Sequence, residues 1–244
     1  MTGVERRDEA GASPATGVGA DVRDRLAIAL DLDDLVPAMR LARELRPWFG
    51  VAKVGLELYS AVGPDVINSL TDLGYEVFVD LKLHDIPTTV QRAARVVGAL
   101  GASYLTLHAQ GGDAMVRAGV EGFLAGASDA GLPEPTALAV TVLTSDLDAP
   151  PHVVPKRVRV AVEAGCGGIV CSARDLHDVK ELAPRIRCVV PGIRPIGTPH
   201  HDQAGAVPPR VAIEAGADLL VIGRAVTQAA DPAAAASAVA AELR

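Results

Sequence analysis

The segment Asp80-Leu81-Lys82-Leu83-His84-Asp85 sets two carboxylates around an ammonium within six residues. Residues 77–81 form an apolar run that reads as a strand, and the two-residue period of a strand puts Asp80 and Lys82 on one face. A lone Asp-x-Lys is more often an exposed ion pair of little energetic weight. Here the context differs. Lys82 lies in apolar surroundings, and Asp31 and Lys53 stand at the ends of two other apolar runs, so several charges converge and must compensate one another. Carboxylates on either side favour the ammonium form of Lys82, which suits a proton donor and not a Schiff-base nucleophile, because the latter needs a neutral amine. Protonation of a carbanion is the chemistry that fits, with the ammonium stabilising the charge as it develops. A substrate carboxylate beside Asp80 would be repelled until it left as carbon dioxide.

A second constellation lies near the C-terminus. Val221-Ile222-Gly223-Arg224 ends an apolar run with a glycine and a guanidinium fork ahead of a helical pattern, a composition suited to an anion. Residues 189–195 form another run, which carries Arg194 and leads into a polar loop containing His200, His201 and Gln203. That loop is longer than a minimal connection and could close over a ligand. Adjacent histidines point apart, so His200 and His201 are expected not to hold a metal. Thr144 and Ser145 offer hydroxyls to an amide-like heterocycle, and His108 reads as a hydrogen-bonded neighbour of the site.

These residues need a scaffold that brings distant strand ends together. Eight short apolar runs recur, at 26–30, 51–54, 77–81, 104–107, 137–143, 168–170, 188–190 and 219–222. Helical patterns lie between and after them, at 36–45, 64–73, 90–100, 114–124, 156–164, 176–182, 210–215 and 225–243. Continuous apolar strands alternating with helices predict a parallel sheet covered on both faces. Eight repeats in 244 residues favour a closed (β/α)8 TIM barrel, an α/β fold that builds its sites at the C-terminal ends of its strands. The first turn carries no GxGxxG, against a dinucleotide-binding open sheet. Residues 1–20 show no periodicity and are expected to be a flexible, disordered N-terminal tail, with one barrel domain over 21–244.

Composition narrows the partners. The net charge is −7 and no basic run is interleaved with aromatics, which disfavours nucleic acid. No apolar stretch is long enough for a bilayer, and the N-terminus lacks the apolar core of a signal peptide, so a cytoplasmic protein is expected. Cys166, Cys171 and Cys188 fit neither a zinc pattern nor a disulfide framework and are expected to be reduced core thiols. Trp48 and Phe49 read as packing residues.

In order and spacing, Ala29-Leu30-Asp31, Lys53-Val54-Gly55, the block DLKLHDIPTT from Asp80 to Thr89, Leu143-Thr144-Ser145, Val170-Cys171-Ser172, Pro191-Gly192-Ile193-Arg194 and Val221-Ile222-Gly223-Arg224 together resemble the orotidine 5′-phosphate decarboxylase family of bacterial type. The resemblance covers about residues 25 to 225, and the DLKLHDIPTT block is its most specific part. It implies a cofactor-independent, metal-free conversion of orotidine 5′-phosphate to UMP, the last step of pyrimidine synthesis, in a homodimer with shared sites. By the same resemblance Lys53, Asp80, Lys82 and Asp85 form the charged network, with Lys82 protonating C6 and Asp85 reaching into the partner's site. Asp31 and Lys53 would bind ribose hydroxyls and Thr144 the pyrimidine; Arg194, Gln203, Gly223 and Arg224 would hold the phosphate, and Ile86 and Thr89 would come from the other subunit. Two stretches depart from the family pattern: residues 146–156 are short, and Ala204-Gly205-Ala206 replaces frequent basic residues.

Two other readings are compatible with these residues. A related barrel acting on a sugar phosphate shares the Asp-x-Lys-x-x-Asp pattern but uses magnesium to stabilise an enediolate, so metal dependence separates the two. A barrel without catalysis, acting as a phosphate-ligand binding module, would not require the full set Lys53, Asp80, Lys82 and Asp85.

Overall fold

The computed structural model describes residues 18–146, 148–195 and 207–244. Gln203, His200, His201 and 204–206 lie outside the described residues, as does most of the expected tail, residues 1–17. Eight parallel strands close in sequential order, β1 (Leu26–Ala29), β2 (Val51–Val54), β3 (Glu76–Leu83), β4 (Tyr104–His108), β5 (Thr136–Val140), β6 (Gly168–Val170), β7 (Arg187–Val190) and β8 (Leu219–Ile222), with β8 pairing back to β1. The (β/α)8 barrel expected from the apolar runs is the fold observed. Around it run α1 (Ala20–Arg23), α2 (Leu35–Leu45), α3 (Leu56–Val62), α4 (Asp65–Thr71), α5 (Pro87–Ala99), α6 (Gly112–Asp129), α7 (Val153–Glu163), α8 (Leu176–Leu182), α9 (Pro209–Glu214), α10 (Arg224–Thr227) and α11 (Pro232–Ala241). No helix among the described residues is long and apolar enough to cross a membrane.

Strand alternation divides the apolar side chains into two layers. Ala27, Ala29, Val51, Phe78, Tyr104, Leu138, Val189, Leu219 and Val221 fill the barrel, and a larger cluster packs strands against helices. At the N-terminal end of the barrel, Tyr104 donates to Glu76 at 2.8 Å and accepts from Arg187 at 2.9 Å. Burial and the neighbouring Glu76 push the Tyr104 hydroxyl up to about 12, so it remains a donor. Trp48 and Phe49 are buried, as are the free thiols of Cys166, Cys171 and Cys188.

Three differences from the expected elements have local causes. The fold reaches back to Val18, whose N–H bonds the carbonyl of Pro47 at 3.2 Å, ahead of the expected start at Asp21. The span 225–243 is two helices, because Asp231 caps a new one by accepting from Ala234 N–H at 2.8 Å and Pro232 occupies its first turn. Helix α3 follows β2 directly from Gly55, which the sequence reading passed over.

Helices α5 and α6 approach so closely that a Cβ at Gly126 would lie 2.0 Å from the backbone oxygen of Arg95. This contact fixes α5, the helix that begins just after Asp85 and Ile86. Gly126→Ala should improve helix propensity by up to about 1 kcal/mol, yet overpacking of about 1–3 kcal/mol should prevail and lower the midpoint of thermal unfolding. A rise in that midpoint would contradict the packing.

Candidate active site

Strands β1, β2 and β3 pair with Ala29 opposite Lys53 and Lys53 opposite Phe78, so residues just beyond these pairs meet at one end of the barrel. There four charges alternate in sign. Lys53 Nζ donates to Asp31 Oδ1 at 3.0 Å and lies 3.7 Å from Asp80 Oδ2, while Lys82 Nζ donates to Asp80 Oδ1 at 2.9 Å. Lys53 and Asp80 side chains retain only 11% and 14% exposure, whereas Asp31 retains 54%. The inner two charges are therefore the ones whose desolvation depends on their neighbours. Gly55 leaves the room this needs, because a Cβ there would sit 2.8 Å from Asp31 Oδ1 and 3.1 Å from Lys53 Nζ.

The faces of β3 alternate as expected from its sequence. Phe78, Asp80 and Lys82 line the cavity, and Val77, Val79, Leu81 and Leu83 pack outward. Pairing with β4 is less regular: it runs from Val79 opposite Leu105 to Leu83 opposite Leu107. Within this bulge Lys82 has φ of 51°, the only positive value at a non-glycine residue among those described.

The cavity encloses about 550 Å³ at the C-terminal ends of the strands, a volume in the range of small-molecule sites. It brings together Asp31, Lys53, Asp80, Lys82, Thr144, Arg194, Gly223 and Arg224 from six strands or the segments that follow them. Arg194 is buried, and its N–H bonds the Val207 carbonyl at 3.0 Å, joining the two sides of the long β7 to α9 connection. Asp85, Ile86 and Thr89 do not line this cavity; they are exposed, with Ile86 66% accessible. The Asp85 carboxylate accepts from Ile86 N–H at 2.6 Å, shaping the turn into α5.

Glu57 and Gln228 also line the cavity and were missed from sequence. Glu57 belongs to the overlooked α3, and Gln228 ends the short α10, so each depended on a helix boundary that apolar periodicity hides. His108, at the end of β4, accepts from Gln110 N–H at 3.3 Å and stacks on His84 with ring centroids 5.5 Å apart.

A parallel barrel with a charged cavity at its strand ends is the architecture of a TIM-barrel enzyme. Residues 24–239 match the family model described as Orotidine 5′-phosphate decarboxylase / HUMPS family, and the chain belongs to that family. The orotidine 5′-phosphate decarboxylase of Anaeromyxobacter dehalogenans is 47% identical over 231 residues, covering 90% of this chain and 98% of the relative. That of Thermobifida fusca is 44% identical, covering 90% and 95%. The crystal structure of orotidine 5′-phosphate decarboxylase from Lactobacillus acidophilus superposes with a TM-score of 0.77 at 34% identity, covering 91% of this chain and 99% of that one.

Burial, with lesser help from Arg157, His84 and Lys82, pulls His108 below its ordinary value of 6.5. The unfolded chain then binds a proton that the folded chain does not, so this contribution to stability is full above 6.5 and is lost as pH falls through the lower folded value. Thermal unfolding of wild type and His108→Gln should diverge in slope as pH is lowered from about 7.5 to 5.5, the wild type losing more. Parallel curves would contradict this assignment.

Proposed function

We propose that the chain decarboxylates orotidine 5′-phosphate to UMP and carbon dioxide, the last step of pyrimidine biosynthesis, using its alternating row of charges. The row Asp31, Lys53, Asp80, Lys82 is the observation that carries the reading, because it supplies a proton donor beside a carboxylate in one small cavity. The family match and the decarboxylase names of relatives at 44–47% identity favour this branch over the sugar-phosphate barrels.

In this reading the substrate carboxylate lies against Asp80. As the bond from C6 to the carboxylate breaks, its electron pair stays on C6 and carbon dioxide leaves. Lys82 then delivers a proton from Nζ to C6 and regains one from water. Its ammonium is already held 2.9 Å from Asp80, so little reorganisation accompanies the developing charge. Asp31 and Lys53 take the ribose hydroxyls and Thr144 the pyrimidine. Arg194, Gly223 and Arg224 take the phosphate, joined by Gln203. Binding energy gathered at that remote end holds the reacting carbon against the charges.

The site is completed in a homodimer. Asp85, Ile86 and Thr89 stand outside their own cavity and exposed, which suits residues that serve the neighbouring protomer's cavity. The Asp85 carboxylate of the partner subunit would then add a second negative charge beside Lys82. A cytoplasmic location fits three free, buried thiols.

Lys82→Ala should slow turnover of orotidine 5′-phosphate by a hundredfold or more, the order expected for loss of a general acid, while UMP still binds. Asp85→Ala should be comparably impaired. When the two inactive variants are mixed and allowed to exchange subunits, heterodimers hold one site with both residues intact, and about a quarter of wild-type activity should return. Near-normal turnover by Lys82→Ala would refute the proton donor, and no recovery on mixing would refute the shared site.

A further inference from the structure

The left-handed backbone at Lys82 needs something to hold it. A lysine at φ of 51° forgoes the relaxed strand conformation, at a cost general to residues carrying a Cβ. It lies where five residues of β3, from Val79 to Leu83, span only three of β4, from Leu105 to Leu107, so the regular ladder is interrupted there. The β4 residue facing this gap is Thr106, fully buried, on the inward face between the outward-packed Leu105 and Leu107.

Its hydroxyl makes two contacts that belong to the charge row. Thr106 Oγ1 accepts from the Lys82 backbone N–H at 2.8 Å and donates to Asp80 Oδ1 at 3.0 Å. The same Asp80 Oδ1 accepts from Lys82 Nζ at 2.9 Å. A closed ring results: Lys82 N–H to Thr106, Thr106 O–H to Asp80, and Lys82 ammonium to Asp80. One hydroxyl thus uses its single proton on the carboxylate and a lone pair on the strained peptide. No ladder carbonyl could do both, since a carbonyl has no proton to give the carboxylate.

We propose that Thr106 is a positioning residue, whose hydroxyl locks the β3 bulge and thereby sets the direction of the Lys82 ammonium relative to Asp80. It touches neither the substrate nor the reacting atoms; it acts through these two residues. Loss of the hydroxyl strands a half-buried N–H and removes a donor from a carboxylate, and the bulge is then free to relax. The site's remote end does not depend on it, because Arg194, Gly223 and Arg224 follow β7 and β8.

The activity arm of the test rests on the decarboxylase reading, and the structural arm does not. Thr106→Val keeps the shape and removes the hydroxyl; Thr106→Ser keeps the hydroxyl and removes the methyl. With orotidine 5′-phosphate, Thr106→Val should lose about tenfold to a hundredfold in kcat, with UMP affinity changed little, and Thr106→Ser should recover most of that loss. If Thr106 only packs, the order reverses, with valine near wild type and serine the worse, and the proposal fails. It fails equally if both variants turn over as the wild type does. If the wild type itself does not convert the substrate, the decarboxylase reading is at fault, and crystal structures of the two variants decide. A valine variant that keeps Lys82 left-handed with its ammonium on Asp80 overturns the proposal. Relaxation of the bulge in the valine variant but not in the serine variant sustains it.

Discussion

The ammonium of Lys53 sits between the carboxylates of Asp31 and Asp80 with little access to water, and the rest of the site depends on that arrangement being tolerated. Desolvating a charge is costly unless partners replace the lost hydration, and removal of one partner strands the other. Here compensation is relayed along a row: Asp31 and Asp80 serve Lys53, and Asp80 also serves Lys82. The two central members belong to neighbouring parallel strands, so strand register, not loop conformation, sets their spacing. Gly55 contributes by absence, since a side chain there would occupy the space of the Asp31 to Lys53 contact.

Around this row the barrel separates two tasks. Strands β1 to β3 hold the charges, whereas the segments after β7 and β8 bring Arg194, Gly223 and Arg224 into the same cavity. A ligand spanning the cavity would be gripped at one end and acted on at the other, the arrangement that lets remote binding energy serve a reaction. Helix α5 adds a third element. It is pinned against α6 by a contact at backbone distance, and the segment entering it presents Asp85, Ile86 and Thr89 outward.

Much of this was legible in the residues. The eight apolar runs anticipated all eight strands, and three of them, 51–54, 168–170 and 219–222, coincide with β2, β6 and β8. Polar residues in or just after six of those runs are gathered in the cavity, because a parallel barrel places every strand's C-terminal end on one side. Other features depend on pairings that local sequence does not encode. The alanine-rich span after residue 225 hides its break, although Asp231-Pro232 is a helix-start signal in retrospect. Glu57 escaped notice because α3 begins without a turn signal beyond Gly55. The partnership of Thr106 with Asp80 and Lys82 joins positions more than twenty residues apart across an interrupted ladder, and no spacing rule would have found it.

The most direct test follows the ultraviolet absorbance of orotidine 5′-phosphate in the presence of the purified protein and excess chelator, since loss of the conjugated carboxylate changes the pyrimidine spectrum. A row of protein charges that carries out the decarboxylation predicts rapid conversion to UMP, unaffected by the chelator. A folded protein that leaves the substrate unchanged, or converts it only when magnesium is restored, would contradict the account.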